Sequence, residues 1–197
     1  TTCGERIVQM IWDDRTPARI LTRGSFMNAA AVQMALGGST NAAVHIIALA
    51  RRAGVELTLA DLDAVARRIP VIANLFPSGD RLMEDFYFAG GLPALMNVIA
   101  TELSLGEMTV TGASVGTNIR DRHVLDAQVI RPLQNPVGSG AALAVLRGNL
   151  APQGAVMKAS AANQKYQKHH GPALVFDSQP QMLRAMADPN LDADENT

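Results

Sequence analysis

Apolar residues recur every three or four positions through roughly the first half of the chain. This spacing is typical of amphipathic helices, and glycine, proline and capping residues mark where the helices begin and end. The predicted helices cover residues 6–14, a segment opening at Thr16-Pro17, residues around 26–34, the stretch from Ser39 or Thr40 to Gly54, the stretch from Thr58 to before Pro70, and residues 81–89 and 93–103.

Two of these boundaries carry clear local signals. Gly37-Gly38 predicts the end of one helix, and Ser39 or Thr40 is a suitable N-cap for the next. Thr58-Leu59-Ala60-Asp61 is close to a capping box, with Asp in the position usually taken by Glu or Gln. We therefore expect a helix, a glycine turn and a second helix around residue 38.

From Met108 the pattern changes to short apolar runs separated by glycine and proline, which favours strands. Strands are predicted at Val71–Leu75, Met108–Thr111, Val124–Ile130, Ala142–Leu146, Ala155–Lys158 and Ala173–Phe176, and a last helix at Gln179–Ala187. The spacing of the later strands suggests a barrel or a sandwich. The predicted class is α/β, with a mostly helical part over residues 1–105 and strands over residues 106–197, the boundary being fixed to within several residues.

Composition and charge exclude several classes of function. The chain has 197 residues, of which 48% are hydrophobic and 18% charged, so it can bury a sizeable core. The formal net charge is -1, and Arg67-Arg68 is the densest positive cluster, which argues against nucleic-acid binding. Arg51 and Arg52 end the longest apolar run, Ala42–Ala50, and no membrane span is expected.

Cys3 is the single cysteine. One thiol excludes an internal disulfide framework and an iron-sulfur site built from this chain alone, because such sites need several thiolates. A single cysteine is typical of a protein from a reducing cytoplasm. The chain starts with threonine rather than methionine and without a signal peptide, which suggests that it begins within a longer protein.

The segment Gly37-Gly38-Ser39-Thr40-Asn41 is the first candidate for chemistry. Small residues let a ligand approach the backbone, and unpaired amides at a helix start attract carboxylate or phosphate. A tight turn followed by a capped helix is the simpler interpretation, and the spacing is not that of a Walker loop. His45, one turn further on, either points toward the same site or is an ordinary core histidine.

The other candidates have simpler structural interpretations, which we favour. A carboxylate at Glu84-Asp85 is more typical of a helix start than of an acid/base pair, since adjacent positions do not share a helix face. Neighbouring histidines rarely ligate one ion, so His169-His170 predicts no metal site. Arg131 is interpreted as part of a rigid turn, with pairing to an anionic substrate as the alternative. Asn149 is interpreted as a loop residue at the rim of β-structure, with ligand contact as the alternative. Lys158 is interpreted as a surface lysine, with a role as a base as the alternative.

Several ordered segments resemble one enzyme family. These segments are Ala35–Ala42, Met83–Tyr87, Ala89–Ala94, Ile130–Leu133, Leu146–Pro152 and Gly171–Asp177. Together they are similar to landmarks of the dihydroxy-acid dehydratase and phosphogluconate dehydratase (IlvD/Edd) family over nearly the whole chain. The aromatic run in Met83–Gly91 resembles the sugar-acid, arabinonate-type branch more than the branched-chain amino-acid branch.

This resemblance implies a hydro-lyase that removes water from a 2,3-dihydroxy carboxylic acid, such as an aldonate, to give the 2-keto-3-deoxy acid. It also implies a homodimer or larger homo-oligomer, and an iron-sulfur cluster (2Fe-2S or 4Fe-4S) and magnesium acting as Lewis acids. The fold implied is the C-terminal portion of the family's N-terminal α/β domain, over residues 1–105, followed by the beginning of a β-barrel-like C-terminal domain, over residues 106–197.

The family's Cys-Asp-Lys segment, its later glycine-rich segment with a glutamate ligand and its Asp-Gly-Arg-x-Ser segment are absent from this sequence. We therefore expect no catalytic residue and no metal ligand in the chain, and no activity from the chain alone. Ser39, Thr40 and Asn41 remain as expected substrate contacts on a cavity wall. The alternatives are a dihydroxy-acid dehydratase of branched-chain amino-acid biosynthesis and a non-catalytic binding or assembly module.

Overall fold

The computed structural model describes residues 2–159, 162–163, 165 and 167–194, which combine helices with short strand pairs. The predicted α/β class is confirmed. The helices are α1 (Thr2–Trp12), α2 (Pro17–Ile20), α3 (Arg23–Ala35), α4 (Thr40–Arg52), α5 (Leu59–Ala66), α6 (Met83–Phe88), α7 (Gly91–Val98), α8 (Val115–Ile119) and α9 (Gln179–Met186), with a 3-10 turn at Ala100–Glu102.

The strands among the described residues form two antiparallel pairs. Strand β1 (Pro70–Val71) pairs with β2 (Gly138–Ala141), and β3 (Leu143–Leu146) pairs with β4 (Ala155–Lys158). The register of the second pair is regular from Leu143 opposite Lys158 to Leu146 opposite Ala155. The loop between β3 and β4 carries the predicted ligand candidate Asn149, which is exposed.

The chain divides into two compact units, residues 1–161 and residues 162–197. The first unit contains the apolar core, whose largest fully buried side chains are Met34, Leu62, Val65, Ile69, Ile72, Leu95, Ile99 and Ile130. In the second unit α9 buries none of its residues. The division into domains at residue 105 stays a prediction.

The helix boundaries predicted at Gly37-Gly38, Ser39 and Thr58 are confirmed, whereas the helices predicted at residues 6–14 and 93–103 lie at Thr2–Trp12 and Gly91–Val98. The Thr58 side chain accepts from the Asp61 amide at 3.3 Å, and the Asp61 carboxylate accepts from the Thr58 amide at 2.8 Å, which forms the capping box of α5. Within the part of the chain that the structure describes, no helix is long and apolar enough to cross a membrane.

Three predicted strands are wrong. Residues 127–129 form a turn, because the Asp126 side chain accepts from the Gln128 amide at 2.8 Å and the Asp126 carbonyl accepts from the amides of Val129 and Ile130. Such local hydrogen bonds compete with a strand ladder. In residues 108–111 the hydroxyls of Thr109 and Thr111 likewise bond to nearby groups, and residues 173–176 are also irregular.

The segment Val71–Leu75 is fully buried as predicted, although only its first residue belongs to a strand. Its backbone groups bond to several different segments. The amides of Ile72 and Ala73 donate to the Ala35 carbonyl at the end of α3, and the Asn74 amide donates to the Val129 carbonyl. This extended segment fixes the end of α3 against the core.

Candidate functional site

The turn of residues 37–41, which we call the glycine turn, joins the end of α3 to the start of α4. The Gly37 amide donates to the Met34 carbonyl at 3.0 Å, and the Gly38 amide donates to the Gln33 carbonyl at 2.9 Å. This pair of bonds is the Schellman arrangement that ends many helices. Both glycines have positive φ, 104° at Gly37 and 68° at Gly38, which favours residues without a Cβ.

The glycine turn is held between two other parts of the first unit. A Cβ built on Gly38 would lie 2.8 Å from Leu143 Cγ and 3.0 Å from Ala142 Cβ, where the chain passes from β2 to β3. A Cβ on Gly37 would lie 3.4 Å from the Ser78 hydroxyl oxygen. The absence of side chains at these positions therefore sets how closely the turn approaches the rest of the fold.

Ser39 is the N-cap of α4, as the sequence predicted. Its hydroxyl oxygen accepts from the Ala42 amide at 3.3 Å, and its carbonyl accepts from the Ala43 amide at 3.0 Å. The amides of Thr40 and Asn41 donate to no other group among the described residues, and Ser39, Thr40 and Asn41 are all exposed. Two free amides at the positive end of a helix dipole can hold a carboxylate or another oxyanion.

Gln33 supports this turn from the buried side of α3 and is 7% exposed. Its side-chain nitrogen donates to the Ser39 carbonyl at 2.6 Å. We did not single out Gln33 from the sequence. A signal was present, because an uncharged polar residue between Val32 and Met34 interrupts an otherwise apolar stretch of a helix.

A second polar cluster holds the segment after β1. The Asn74 side chain, 8% exposed, donates to the Asp80 carboxylate at 2.7 Å and to the Gln128 carbonyl at 3.2 Å. These bonds fix the loop that carries Ser78 beside Gly37. Sequence reasoning missed Asn74 because its partners are six and 54 residues away.

Asp85 takes the simpler of its two interpretations, whereas the interpretation of His45 as a core histidine is wrong, because His45 is exposed. The Asp85 carboxylate accepts from the Leu82 amide at 2.8 Å and caps α6. Glu84 and His45 are exposed, and His169 and His170 are exposed in the second unit. No group of three or more histidine, cysteine, aspartate or glutamate side chains among the described residues is placed to hold a metal ion.

One carboxylate has a shifted pKa. Partial burial of Asp61 acts to raise its pKa, but hydrogen bonds from Thr58 and the adjacent Arg23 guanidinium outweigh burial, so the pKa lies below the ordinary 3.8. The Arg23 guanidinium lies 2.7 Å from the Asp61 carboxylate. This arrangement stabilises the start of α5. The partners of Asp61, Thr58 and Arg23, do not belong to the glycine turn.

Comparison with known proteins decides the family. Residues 1–118 match the family model of the dihydroxy-acid/6-phosphogluconate dehydratase N-terminal part, and residues 128–196 match the model of the C-terminal part. The chain belongs to this dehydratase family. The resemblance deduced from the ordered motifs is thereby confirmed.

Dehydratases of both substrate branches are similar to this chain. A 6-deoxy-6-sulfo-D-gluconate dehydratase from Pseudomonas putida is 52% identical over 198 residues, covering 99% of this chain and 34% of the relative. A dihydroxy-acid dehydratase from Caldicellulosiruptor bescii is 46% identical, covering 93% of this chain and 34% of the relative. An L-arabinonate dehydratase from Rhizobium leguminosarum is 44% identical, covering 98% of this chain and 34% of the relative. The chain thus spans about a third of the length of the curated relatives it matches.

Proposed function

We propose that this chain is part of a hydro-lyase that dehydrates a sugar acid, a 2,3-dihydroxy carboxylate such as an aldonate, to the 2-keto-3-deoxy acid. The observation that carries the proposal is the 52% identity to a sugar-acid dehydratase over 99% of the chain. The glycine turn supports it, because exposed amides at a helix start are suited to a carboxylate substrate.

In this proposal the chain binds and orients substrate, and Ser39, Thr40 and Asn41 are the contacts. The amides of Thr40 and Asn41 would hold an oxyanion, while the Thr40 hydroxyl and the Asn41 side chain would bond to substrate hydroxyls. Ser39 contributes chiefly by capping α4, since its hydroxyl already accepts from the Ala42 amide.

The iron-sulfur cluster and magnesium implied by the family do not fit the residues of this chain. Cys3 is the single cysteine and is exposed on α1, and the described residues offer no group of three metal ligands. A cluster bound by several thiolates would therefore need ligands from other residues of the dehydratase. We assign to this chain no step that passes through either group.

A chimera tests the proposal directly. This chain replaces the aligned 198 residues of the Pseudomonas putida enzyme, and formation of 2-keto acid from 6-deoxy-6-sulfo-D-gluconate is measured. We expect activity within about tenfold of the parent enzyme, which corresponds to about 1.4 kcal/mol of transition-state stabilisation. A chimera with the thermal midpoint of the parent and no 2-keto acid product would contradict the proposal and favour a non-catalytic module.

Variants of the chimera test the contacts. Proline is tolerated at the first position of a helix, and Ser39 has the extended backbone, φ -136° and ψ 127°, that precedes proline readily. Thr40→Pro therefore removes the amide donor with little change to α4, and Thr40→Val is its control for loss of the hydroxyl alone. We expect Thr40→Pro to raise KM about tenfold more than Thr40→Val, the factor for one hydrogen bond to a charged group.

Asn41→Ala should also raise KM, with Asn190→Ala as the matched control at an exposed asparagine in the second unit. Equal KM values for Asn41→Ala and Asn190→Ala would remove Asn41 from the set of contacts. Equal KM values for Thr40→Pro and Thr40→Val would show that the Thr40 amide does not contact substrate.

A dihydroxy-acid dehydratase of branched-chain amino-acid biosynthesis is the second candidate, because the Caldicellulosiruptor bescii relative is 46% identical. A second chimera places the chain in the Caldicellulosiruptor bescii enzyme, and the fraction of parental activity that each chimera keeps is compared. We expect the sugar-acid host to keep the larger fraction of its parental activity. The opposite order would favour the branched-chain substrate.

We also propose a homo-oligomeric enzyme of the cytoplasm. Helix α1 buries none of its residues and exposes Ile7, Val8, Ile11 and Trp12 by 54%, 51%, 71% and 79%. Contiguous exposed apolar side chains are typical of surfaces that another chain or segment covers. Light scattering of the chimera measures the oligomer, and a monomeric active enzyme would contradict this part of the proposal.

A further inference from the structure

Gln33 makes two hydrogen bonds to successive residues of the glycine turn. Its backbone carbonyl accepts from the Gly38 amide at 2.9 Å, and its side-chain nitrogen donates to the Ser39 carbonyl at 2.6 Å. Both bonds come from one residue of α3 that is 7% exposed, so they are shielded from water. Gln33 thereby fixes the amide of Gly38 and the carbonyl of Ser39, which lie on either side of the Gly38–Ser39 peptide bond.

The Ser39 carbonyl that Gln33 holds is also the first acceptor of α4, since it receives the Ala43 amide at 3.0 Å. A change in the orientation of this carbonyl would tilt the first turn of α4. The exposed amides of Thr40 and Asn41 lie in that turn. The Gln33 side chain is therefore coupled to the direction in which these donors point.

Stability alone does not account for a glutamine at this position. Its side-chain oxygen Oε1 is buried and has no hydrogen-bond partner among the described residues. An unsatisfied buried acceptor destabilises the folded state, whereas an apolar side chain of similar size has no such penalty. Departures of this kind are expected where a residue serves function rather than stability.

We propose that Gln33 is a positioning residue for substrate binding, acting through the Ser39 carbonyl to orient the donors of Thr40 and Asn41. The inference rests on the proposed function of the glycine turn. Gln33 does not touch substrate, because its side chain is buried behind the turn.

The experiment substitutes Gln33 in the active chimera. Gln33→Met keeps the length of the side chain and removes both the donor and the unsatisfied acceptor, and Gln33→Leu is a second, shorter variant. We expect KM for 6-deoxy-6-sulfo-D-gluconate to rise about tenfold with kcat nearly unchanged, the pattern for loss of binding shared by ground state and transition state. The thermal midpoint should be no lower than that of the chimera.

Asn28→Ala is the control for a purely structural effect on the same helix. Asn28 is 5% exposed and bonds to the backbone of Ser104 at 3.1 Å and 2.7 Å, away from the glycine turn. We expect this variant to lower the thermal midpoint and to leave KM unchanged.

The outcomes separate the two proposals. If Thr40→Pro and Asn41→Ala raise KM but both Gln33 variants leave it unchanged, the positioning role is wrong and the proposed site stands. If the Gln33 variants lower the thermal midpoint and leave KM unchanged, Gln33 is structural. If the chimera is active and none of the variants changes KM, the glycine turn does not bind substrate, so the proposed contacts and the positioning role are both wrong while the hydro-lyase proposal stands. A folded chimera without activity would make the hydro-lyase proposal wrong as well.

Discussion

Gly38→Ala provides the most direct test of how tightly the glycine turn is packed. Gly38 has φ of 68°, and the added methyl group would lie 2.8 Å from Leu143 Cγ and 3.0 Å from Ala142 Cβ. Ala142 and Leu143 are each 2% exposed, so neither has space to move outward. The substitution therefore combines backbone strain with a collision inside the core.

The expected loss of stability has two parts. Left-handed backbone costs a residue with a Cβ about 1–2 kcal/mol. Overpacking by one methyl group costs about 1–3 kcal/mol more. The control is Gly54→Ala, because Gly54 has φ of 73° and no atom within 4 Å of the added methyl. The control should lose the backbone part alone, so Gly38→Ala should be less stable than Gly54→Ala by about 1–3 kcal/mol.

Urea unfolding followed by far-ultraviolet circular dichroism measures both variants of the purified chain. A double variant with Leu143→Ala checks the cause, since removing the Leu143 side chain should relieve the collision and make the pair less destabilising than the sum of the single changes. Equal stability of Gly38→Ala and Gly54→Ala would refute the packing that holds the turn against the strands.

Three further predictions concern the helix starts and the metal chemistry. Asp61→Asn should destabilise the chain by about 0.2–1 kcal/mol at neutral pH, because the amide oxygen of asparagine can still accept from the Thr58 amide but carries no charge to pair with the Arg23 guanidinium. Because the Asp61 pKa is lowered from 3.8, this difference should be present above pH 3.8 and disappear as pH falls through the folded-state pKa, and a pH-independent difference would contradict it. Gly24→Ala should be less favourable than Gly4→Ala by about 0.5–1.5 kcal/mol, because its methyl group would displace the Glu107 carboxylate from the hydrogen bond that the Thr22 hydroxyl donates to it. Gly4→Ala is the control, because nothing lies within 4 Å of its methyl group, and the two variants are compared by thermal melting. The purified chain incubated with an aldonic acid, iron, sulfide and magnesium should form no 2-keto acid, and appreciable product would show that this chain holds its own metal centre.

Local signals in the sequence predicted the helix boundaries around residues 37–39 and at residue 58 correctly. The Thr58 and Asp61 capping box, the Ser39 cap and the glycine pair at residues 37 and 38 all depend on hydrogen bonds between residues at most five positions apart. Such bonds are determined by residue type and spacing alone, so the sequence is sufficient to predict them.

Features that depend on distant partners were not predictable in the same way. The approach of Gly38 to Leu143 joins residues in different elements, and no property of either residue indicates it. The strand predicted at Val124–Ile130 is wrong, because the Asp126 side chain accepts from the Gln128 amide and this local hydrogen bond competes with strand pairing. Gln33 has a sequence signal, as a polar residue within an apolar stretch of a helix, but its partner, the Ser39 carbonyl, is set by the fold of the turn and not by residue type.

The activity of the chimera on 6-deoxy-6-sulfo-D-gluconate tests the central claim, that this chain supplies part of the substrate-binding site of a sugar-acid dehydratase. Steady-state rates should stay close to those of the Pseudomonas putida enzyme, and KM should increase when Thr40→Pro removes the amide at the start of α4. A correctly folded chimera that makes no 2-keto acid, or one whose KM is unaffected by that substitution, would contradict the account.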